Sequence, residues 1–167
     1  QVTLFAREGS SVPGVDIVQI PTPDAVLPSK FSMPGTTSPA DAGFFAQANL
    51  FLDLFLDLRQ RAHDFDLIHA HAFDWPSFVC SAIITDIPVL HTIHLPAVTP
   101  EINEGLRALD RRGHPLTLIT VSQACARDYM PYTSFDHVIY NGSDLSAIPF
   151  VARVPEDAPL LYAGRIT

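Results

Sequence analysis

The chain has 167 residues, of which 47% are hydrophobic and 17% charged, so it can bury the core of one ordinary globular domain. Ten basic residues against 18 acidic ones give a formal charge of −8, which argues against a nucleic-acid-binding surface and against a polybasic membrane anchor. Cys80 and Cys125 are too few for a disulfide framework, and no apolar run is long enough to cross a membrane, so we expect a soluble domain in the reducing cytoplasm.

Short apolar segments typical of β-strands alternate with helical segments along the chain. Most of these segments are apolar throughout, which is typical of a parallel sheet that is covered on both faces. The predicted strands are residues 2–5, 16–20, 67–70, 89–93, 116–121, 137–140 and 160–163.

Four helices are predicted between these strands, and the clearest runs from residue 41 to residue 62. Its apolar residues recur on one face, opposite a polar face. Shorter helices are predicted at residues 76–84, 99–112 and 122–130. Thr99 followed by Pro100, and also Ser122, are typical helix starts, whereas Gly113 is a typical helix end. The apolar face of the long helix comprises Leu50, Phe51, Leu54, Phe55 and Leu58.

Repeated strand, helix and strand units predict an α/β domain with a Rossmann-like, doubly wound parallel sheet. Ligands of such sheets bind at the carboxyl ends of the strands. Residues 21–39 contain five prolines and predict a long surface or active-site loop. The chain begins directly on a strand and ends where a loop should lead into a helix. We therefore expect a piece of a longer protein that lacks the first β-α unit and most of a second domain.

Histidines end two successive predicted strands. His69 and His71 share one face of their strand, because alternate strand residues point to the same side. They either flank a ligand or a metal, or they are only the polar end of a strand at a cleft. His94 ends the next strand and is predicted at the same ligand edge, whereas His91 lies inside that strand and is expected to be structural.

A metal site is tested by the spacing of its ligands. The metallo-hydrolase pattern His-x-His-x-Asp-His would need Asp and His where the chain has Phe73 and Asp74. The two cysteines stand apart in predicted helices, unlike the closed ligand sets of structural zinc. We therefore expect no metal. The alternative that remains is a metal-dependent hydrolase that would use His69, His71, Asp74 and His94.

Three further strand ends carry a polar residue. Ser122 either caps the following helix or belongs to a helix start that binds an anion, and a nucleophile elbow is excluded because no Gly-x-Ser-x-Gly occurs. Asn141 precedes Gly142, which is typical of a turn. Arg165 follows Gly164 and could bind a phosphate through two N–H groups, although glycine after a strand is also ordinary turn chemistry.

Taken in order, these motifs resemble the amino-terminal half of retaining glycosyltransferases of family 4, whose GT-B architecture has two facing Rossmann-like domains. Each motif alone is loose, but their order and spacing make the resemblance specific, and it covers nearly the whole chain. It rests on residues 2–7, 65–71, 87–94, 119–122 with Arg127 and Asp128, 138–144, and 164–165.

The resemblance implies an enzyme that transfers a sugar from a UDP-, GDP- or ADP-sugar to a sugar, lipid or small-molecule acceptor. The transfer would retain the configuration of the anomeric carbon and would need no metal. His94 matches the family's Thr-x-His position and would be catalytic, facing the reacting sugar. Gly164 and Arg165 match its Gly-Arg motif and would bind the donor diphosphate. The residues implied to line the cleft on the acceptor side are His71, Ser122 and Asn141.

The resemblance also implies a division of the chain. Residues 1–150 would form the acceptor-side domain, residues 151–159 a linker, and residues 160–167 the first strand of a nucleotide-sugar-binding domain. Because the family's glycine-rich loop and acidic donor motif are absent from these residues, we expect the chain to catalyse no transfer by itself. A lipid acceptor would bring the protein to the membrane periphery. A non-catalytic Rossmann-like binding module remains an alternative.

Overall fold

The computed structural model describes residues 1–21, 39–72, 74–97, 99–147 and 150–159. Strands and helices alternate in chain order through these ranges. The strands are β1 (Thr3–Arg7), β2 (Asp16–Ile20), β3 (Ile68–Ala70), β4 (Val89–Ile93), β5 (Leu116–Thr120) and β6 (His137–Val138). The helices are α1 (Pro39–Gln60), α2 (Trp75–Ser81), α3 (Pro100–Arg111) and α4 (Gln123–Tyr129), with 3₁₀ turns at Ala62–Asp64 and Leu145–Ala147.

The boundaries of the strands differ from the predicted ones where pairing decides them. β1 continues to Arg7, because each of its five residues has a partner in β2. β6 has only two residues rather than four, because only Ile119 and Thr120 of β5 pair with it. Helix α2 ends at Ser81, three residues earlier than expected. The predicted strand at residues 160–163, and most of the predicted loop at residues 21–39, lie outside the described residues.

All strand pairs among the described residues are parallel, which confirms the predicted α/β class. The described strands form two sheets rather than the single sheet that was expected, with the orders β1-β2 and β3-β4-β5-β6. β1, β3 and the apolar face of α1 together line a cavity of about 350 Å³. The two sheets thus face a common apolar space but share no backbone pairing within the described part of the chain.

Helix α1 confirms its predicted amphipathic pattern. Phe55 and Leu58 are buried, and they pack with Ile84 and Val89. The opposite face, which includes Asp53 and Asp57, is exposed. Burying such a side chain contributes about 1.5–3 kcal/mol, so this face accounts for the attachment of α1 to the sheet.

A second core lies between the four-stranded sheet and the other helices. It contains Phe78 of α2, Ile93 of β4, Leu106 of α3, Leu118 of β5 and Tyr129 of α4. One residue from each of five elements meets here, so this cluster sets how the helices sit on the sheet. Ile93 is the last residue of β4 and belongs to this cluster, so the carboxyl end of β4 lies directly on the core.

The predicted helix ends are mostly confirmed. The hydroxyl of Ser122 accepts a hydrogen bond from the Cys125 amide at 3.1 Å and so caps α4. Pro100 is the first residue of α3, but the side chain of Thr99 makes no capping bond. Gly113 follows α3 with φ of +64°, a backbone conformation that favours glycine.

Two further predictions concern the cysteines and the membrane. Cys80 and Cys125 are both free thiols, and Cys125 is buried. In the part of the chain that the structure describes, no helix combines the length and the apolar character that crossing a bilayer requires.

Candidate functional site

Two histidines meet where β3 and β4 end. The two strands are neighbours and parallel, so their carboxyl ends lie at the same edge of the sheet. His71 Nδ1 lies 2.9 Å from His94 Nε2, which is a hydrogen-bonding distance. The ring centroids are 5.3 Å apart and the ring planes differ by 25°, so the two rings meet edge to edge and nearly coplanar, as an N–H···N bond requires. The prediction that these histidines lie at the same edge of the sheet is confirmed, and they are in direct contact.

A third histidine extends this group along β3. The rings of His69 and His71 have centroids 4.2 Å apart, which confirms that they share one face of the strand. His69 Nε2 lies 2.8 Å from Thr92 Oγ1 of β4. Two cross-strand contacts, His69 with Thr92 and His71 with His94, therefore follow one another along the strands.

The electrostatics of the group favour a neutral imidazole at His71. Partial burial lowers the pKa of His71, and the neighbouring His69 and His94 lower it further. An imidazolium carries protons on both ring nitrogens, so two cationic rings could not share an N–H···N bond. The contact thus requires that one ring donates and the other accepts.

His91 lies on the opposite face of β4 and is structural, as predicted. Its side chain is fully buried against Phe78. Neither ring nitrogen has a hydrogen-bond partner among the described residues. Burial, followed by the nearby His69, lowers the pKa of His91 to about 4, so the ring is neutral at physiological pH.

The other predicted site residues are spread along the same edge. Ser122 follows β5, is half-buried, and uses its hydroxyl to cap α4. Asn141 follows β6, two strands away from β4, and is exposed. Gly164 and Arg165 lie outside the described residues. The structure therefore brings His71 and His94 together, and it does not join Ser122 or Asn141 to them.

Gln47 is a residue near this edge that the sequence analysis missed. Its side-chain amide donates a hydrogen bond to Asp74 Oδ2 at 2.7 Å and so ties α1 to the start of α2. Burial raises the pKa of Asp74, and the hydrogen bond from Gln47 partly opposes this effect. The available signal was a polar side chain at position 47 inside the most apolar stretch of the chain.

The geometry gives no support to the metal-dependent hydrolase. Within the described ranges, no group of three or more His, Cys, Asp or Glu side chains is arranged to hold a metal. Two nitrogens on one tetrahedral zinc lie about 3.3 Å apart, given Zn–N bonds of about 2.0–2.1 Å. The 2.9 Å between His71 and His94 is shorter than this and fits a hydrogen bond.

Comparisons with known proteins agree with the resemblance that the motifs indicated. The family described as Glycosyltransferase Family 4 matches residues 1–147. Searches among curated proteins and among solved structures gave no match. The matched residues include every described strand and helix, and therefore also the histidines at the carboxyl ends of β3 and β4.

Proposed function

Because the chain belongs to glycosyltransferase family 4, we propose that it forms the acceptor-side part of a retaining enzyme that uses a nucleotide diphosphate sugar. The observation that carries this proposal is the family match over residues 1–147. Family membership supports glycosyl transfer in general. The stereochemistry, the donor and the acceptor are our proposal, drawn from the order of motifs.

His94 is proposed as the catalytic residue that faces the reacting sugar. Its support is its position, since it is exposed at the carboxyl end of a central strand, where ligands of parallel sheets bind. His71 occupies one of its ring nitrogens, which leaves Nδ1 for a ligand. A neutral imidazole can donate a hydrogen bond to a sugar oxygen or accept one from a hydroxyl. No step in this proposal needs a metal.

Stabilising the departing diphosphate is the main electrostatic task of such a transfer. A guanidinium suits this task, because it donates two parallel hydrogen bonds to phosphate oxygens and keeps its charge. We assign this role to Arg165, with Gly164 allowing the diphosphate to approach the backbone closely. As the negative charge grows on the diphosphate oxygen, the contact with Arg165 strengthens and lowers the barrier.

The proposed division of the chain places residues 1–150 on the acceptor side, a linker at 151–159 and the start of a donor-binding domain at 160–167. The described part of the linker supports this division. Residues 151–157 are all exposed and contain neither helix nor strand. We propose that the acceptor is a sugar, a lipid or a small molecule, and that the protein is cytoplasmic, with peripheral membrane contact for a lipid acceptor.

Calorimetry tests the donor class directly. UDP, GDP and ADP are titrated into a protein that contains this chain and the proposed donor domain, with and without a chelator. We expect one nucleotide to bind equally well in both conditions, and Arg165→Ala to weaken that binding. Binding of none of them would favour the non-catalytic binding module, and binding lost with chelator would favour a metal-dependent enzyme. Retention is checked by NMR, from the anomeric configuration of the product.

A further inference from the structure

We propose that His71 is a positioning residue that holds the ring of His94 in one orientation through a single shared proton. The role of His94 in this inference rests on the proposed function. The contact between the two rings is a property of the protein alone, and it can be measured without donor or acceptor.

The atoms in contact decide which nitrogen of His94 is left for a ligand. His71 Nδ1 and His94 Nε2 lie 2.9 Å apart, so one proton lies between them. When His71 donates to Nε2 of a neutral His94, the one ring proton of His94 is on Nδ1, where it can be donated to a ligand. When His94 donates, its Nδ1 is a bare acceptor. In both arrangements Nε2 is occupied and the ring cannot turn freely.

The position of His71 is itself supported from β4. The ring of His69 packs against that of His71 at a tilt of 37°, with centroids 4.2 Å apart, and His69 Nε2 lies 2.8 Å from Thr92 Oγ1. Thr92 is buried, so its hydroxyl is a rigid anchor. Thr92 of β4 thus contacts His69, His69 packs against His71, and His71 contacts His94, which directly follows β4.

The register between β3 and β4 explains why both cross-strand contacts form. His69 is the backbone partner of Leu90, so Thr92 lies two residues beyond that partner on the same face. Extending the register by two residues sets His71 opposite Thr92, and His94 again lies two residues beyond. Both contacts are therefore the same diagonal cross-strand pair, which long side chains can span.

The groups near His71 disfavour a second proton on its ring. His69 on β3 and His94 on β4 both face His71, and each would repel a second positive charge. Together with partial burial they lower the pKa of His71. A neutral His71 carries one ring proton, so its Nδ1 either donates to His94 Nε2 or accepts from it.

NMR of the protein with ¹⁵N-labelled histidine tests the contact. We expect a scalar coupling across the hydrogen bond between His71 Nδ1 and His94 Nε2, and no such coupling in His71→Ala. In His71→Asn the amide nitrogen lies near the former Nδ1 position and can donate to His94 Nε2. The ¹⁵N shifts of His94 should then report the tautomer with its proton on Nδ1. The control is His63→Ala, whose ring is 80% exposed in the turn after α1 and should leave the coupling unchanged.

The proposal would be overturned if the folded protein showed no such coupling, or if the ¹⁵N shifts of His94 were the same in His71→Ala as in the unaltered protein.

The effect of His71 on catalysis is tested in a protein that contains the donor domain. His71→Ala should lower kcat by on the order of 10–100-fold, the scale of a misplaced catalytic group, and His71→Asn should restore most of it. Full activity of His71→Ala would refute the positioning role and leave the proposed function intact. The proposed function itself fails if the unaltered enzyme transfers no sugar from any nucleotide donor.

Discussion

Gly105 of α3 lies directly against the indole of Trp75 at the start of α2. A Cβ atom at position 105 would lie 2.9 Å from Trp75 Cδ1 and 3.2 Å from Nε1. The glycine is therefore needed for the close approach of α2 and α3, and its low helix propensity is the cost of that approach.

This contact predicts the sign of a substitution. Gly105→Ala should destabilise the protein by about 1–2 kcal/mol, because overpacking against a rigid ring exceeds the gain in helix propensity of about 1 kcal/mol. Denaturant unfolding measures the change. In a Trp75→Ala background the same substitution should stabilise, since the three nearest atoms all belong to Trp75. Equal effects in both backgrounds would refute the packing argument.

The buried His91 predicts a loss of stability in acid. Its pKa is about 4 in the folded protein, against 6.5 for an exposed histidine. Between these values the unfolded chain binds the proton first, so stability falls as the pH drops from about 6.5 to about 4. The full effect is about 3 kcal/mol, at 1.36 kcal/mol per pKa unit.

The variant His91→Leu tests this effect, because leucine is apolar and does not titrate. Its free energy of unfolding, measured between pH 4 and pH 7, should lose most of this dependence. The exposed His63→Ala serves as the control and should keep it. A slope in His91→Leu that matches the unaltered protein would mean that other groups cause the acid sensitivity.

The hydrogen bond from Gln47 to Asp74 predicts that removing Gln47 lowers the free energy of unfolding by an amount that depends on pH. Gln47→Ala should raise the pKa of Asp74 further, because it removes a donor to the ionised carboxylate. The free energy of unfolding should fall by about 1 kcal/mol at pH 7 and by less at pH 3, where Asp74 is protonated. Carboxyl NMR and denaturation at the two pH values measure both effects. Gln60→Ala, at the exposed end of the same helix, is the matched control.

The hydroxyl of Ser122 caps α4, so its loss should destabilise the start of that helix. Ser122→Ala should cost about 1 kcal/mol, because the Cys125 amide loses its hydrogen-bond acceptor, whereas Ser122→Asp should keep most of the stability. Thermal unfolding of the two variants measures the difference. If both variants were as stable as the original protein, the serine would have no capping role.

Much of the fold followed from patterns that near neighbours determine. Continuous apolar strands predicted parallel sheets, and the spacing of Phe55 and Leu58 predicted the buried face of α1. Ser122 and Gly113 predicted where helices begin and end. Each of these signals lies within a few residues, because capping, backbone conformation and helical periodicity are local effects. The order of motifs indicated the family, and the family match agrees with it.

The site was predicted in part. The sequence placed His71 and His94 at one edge, because parallel strands end together. It could not determine that their ring nitrogens lie 2.9 Å apart, or that Gln47 binds Asp74. It also predicted one sheet, where the described strands form two.

These remaining features depend on tertiary structure, because they join residues that are 23 and 27 positions apart in the chain. The register between β3 and β4 sets which side chains face each other, and the packing of α1 on α2 brings Gln47 to Asp74. The sequence alone determined the parallel α/β elements and the edge where the histidines gather. Strand register and helix packing then decided which atoms meet there, since no local pattern encodes a distance between separate elements.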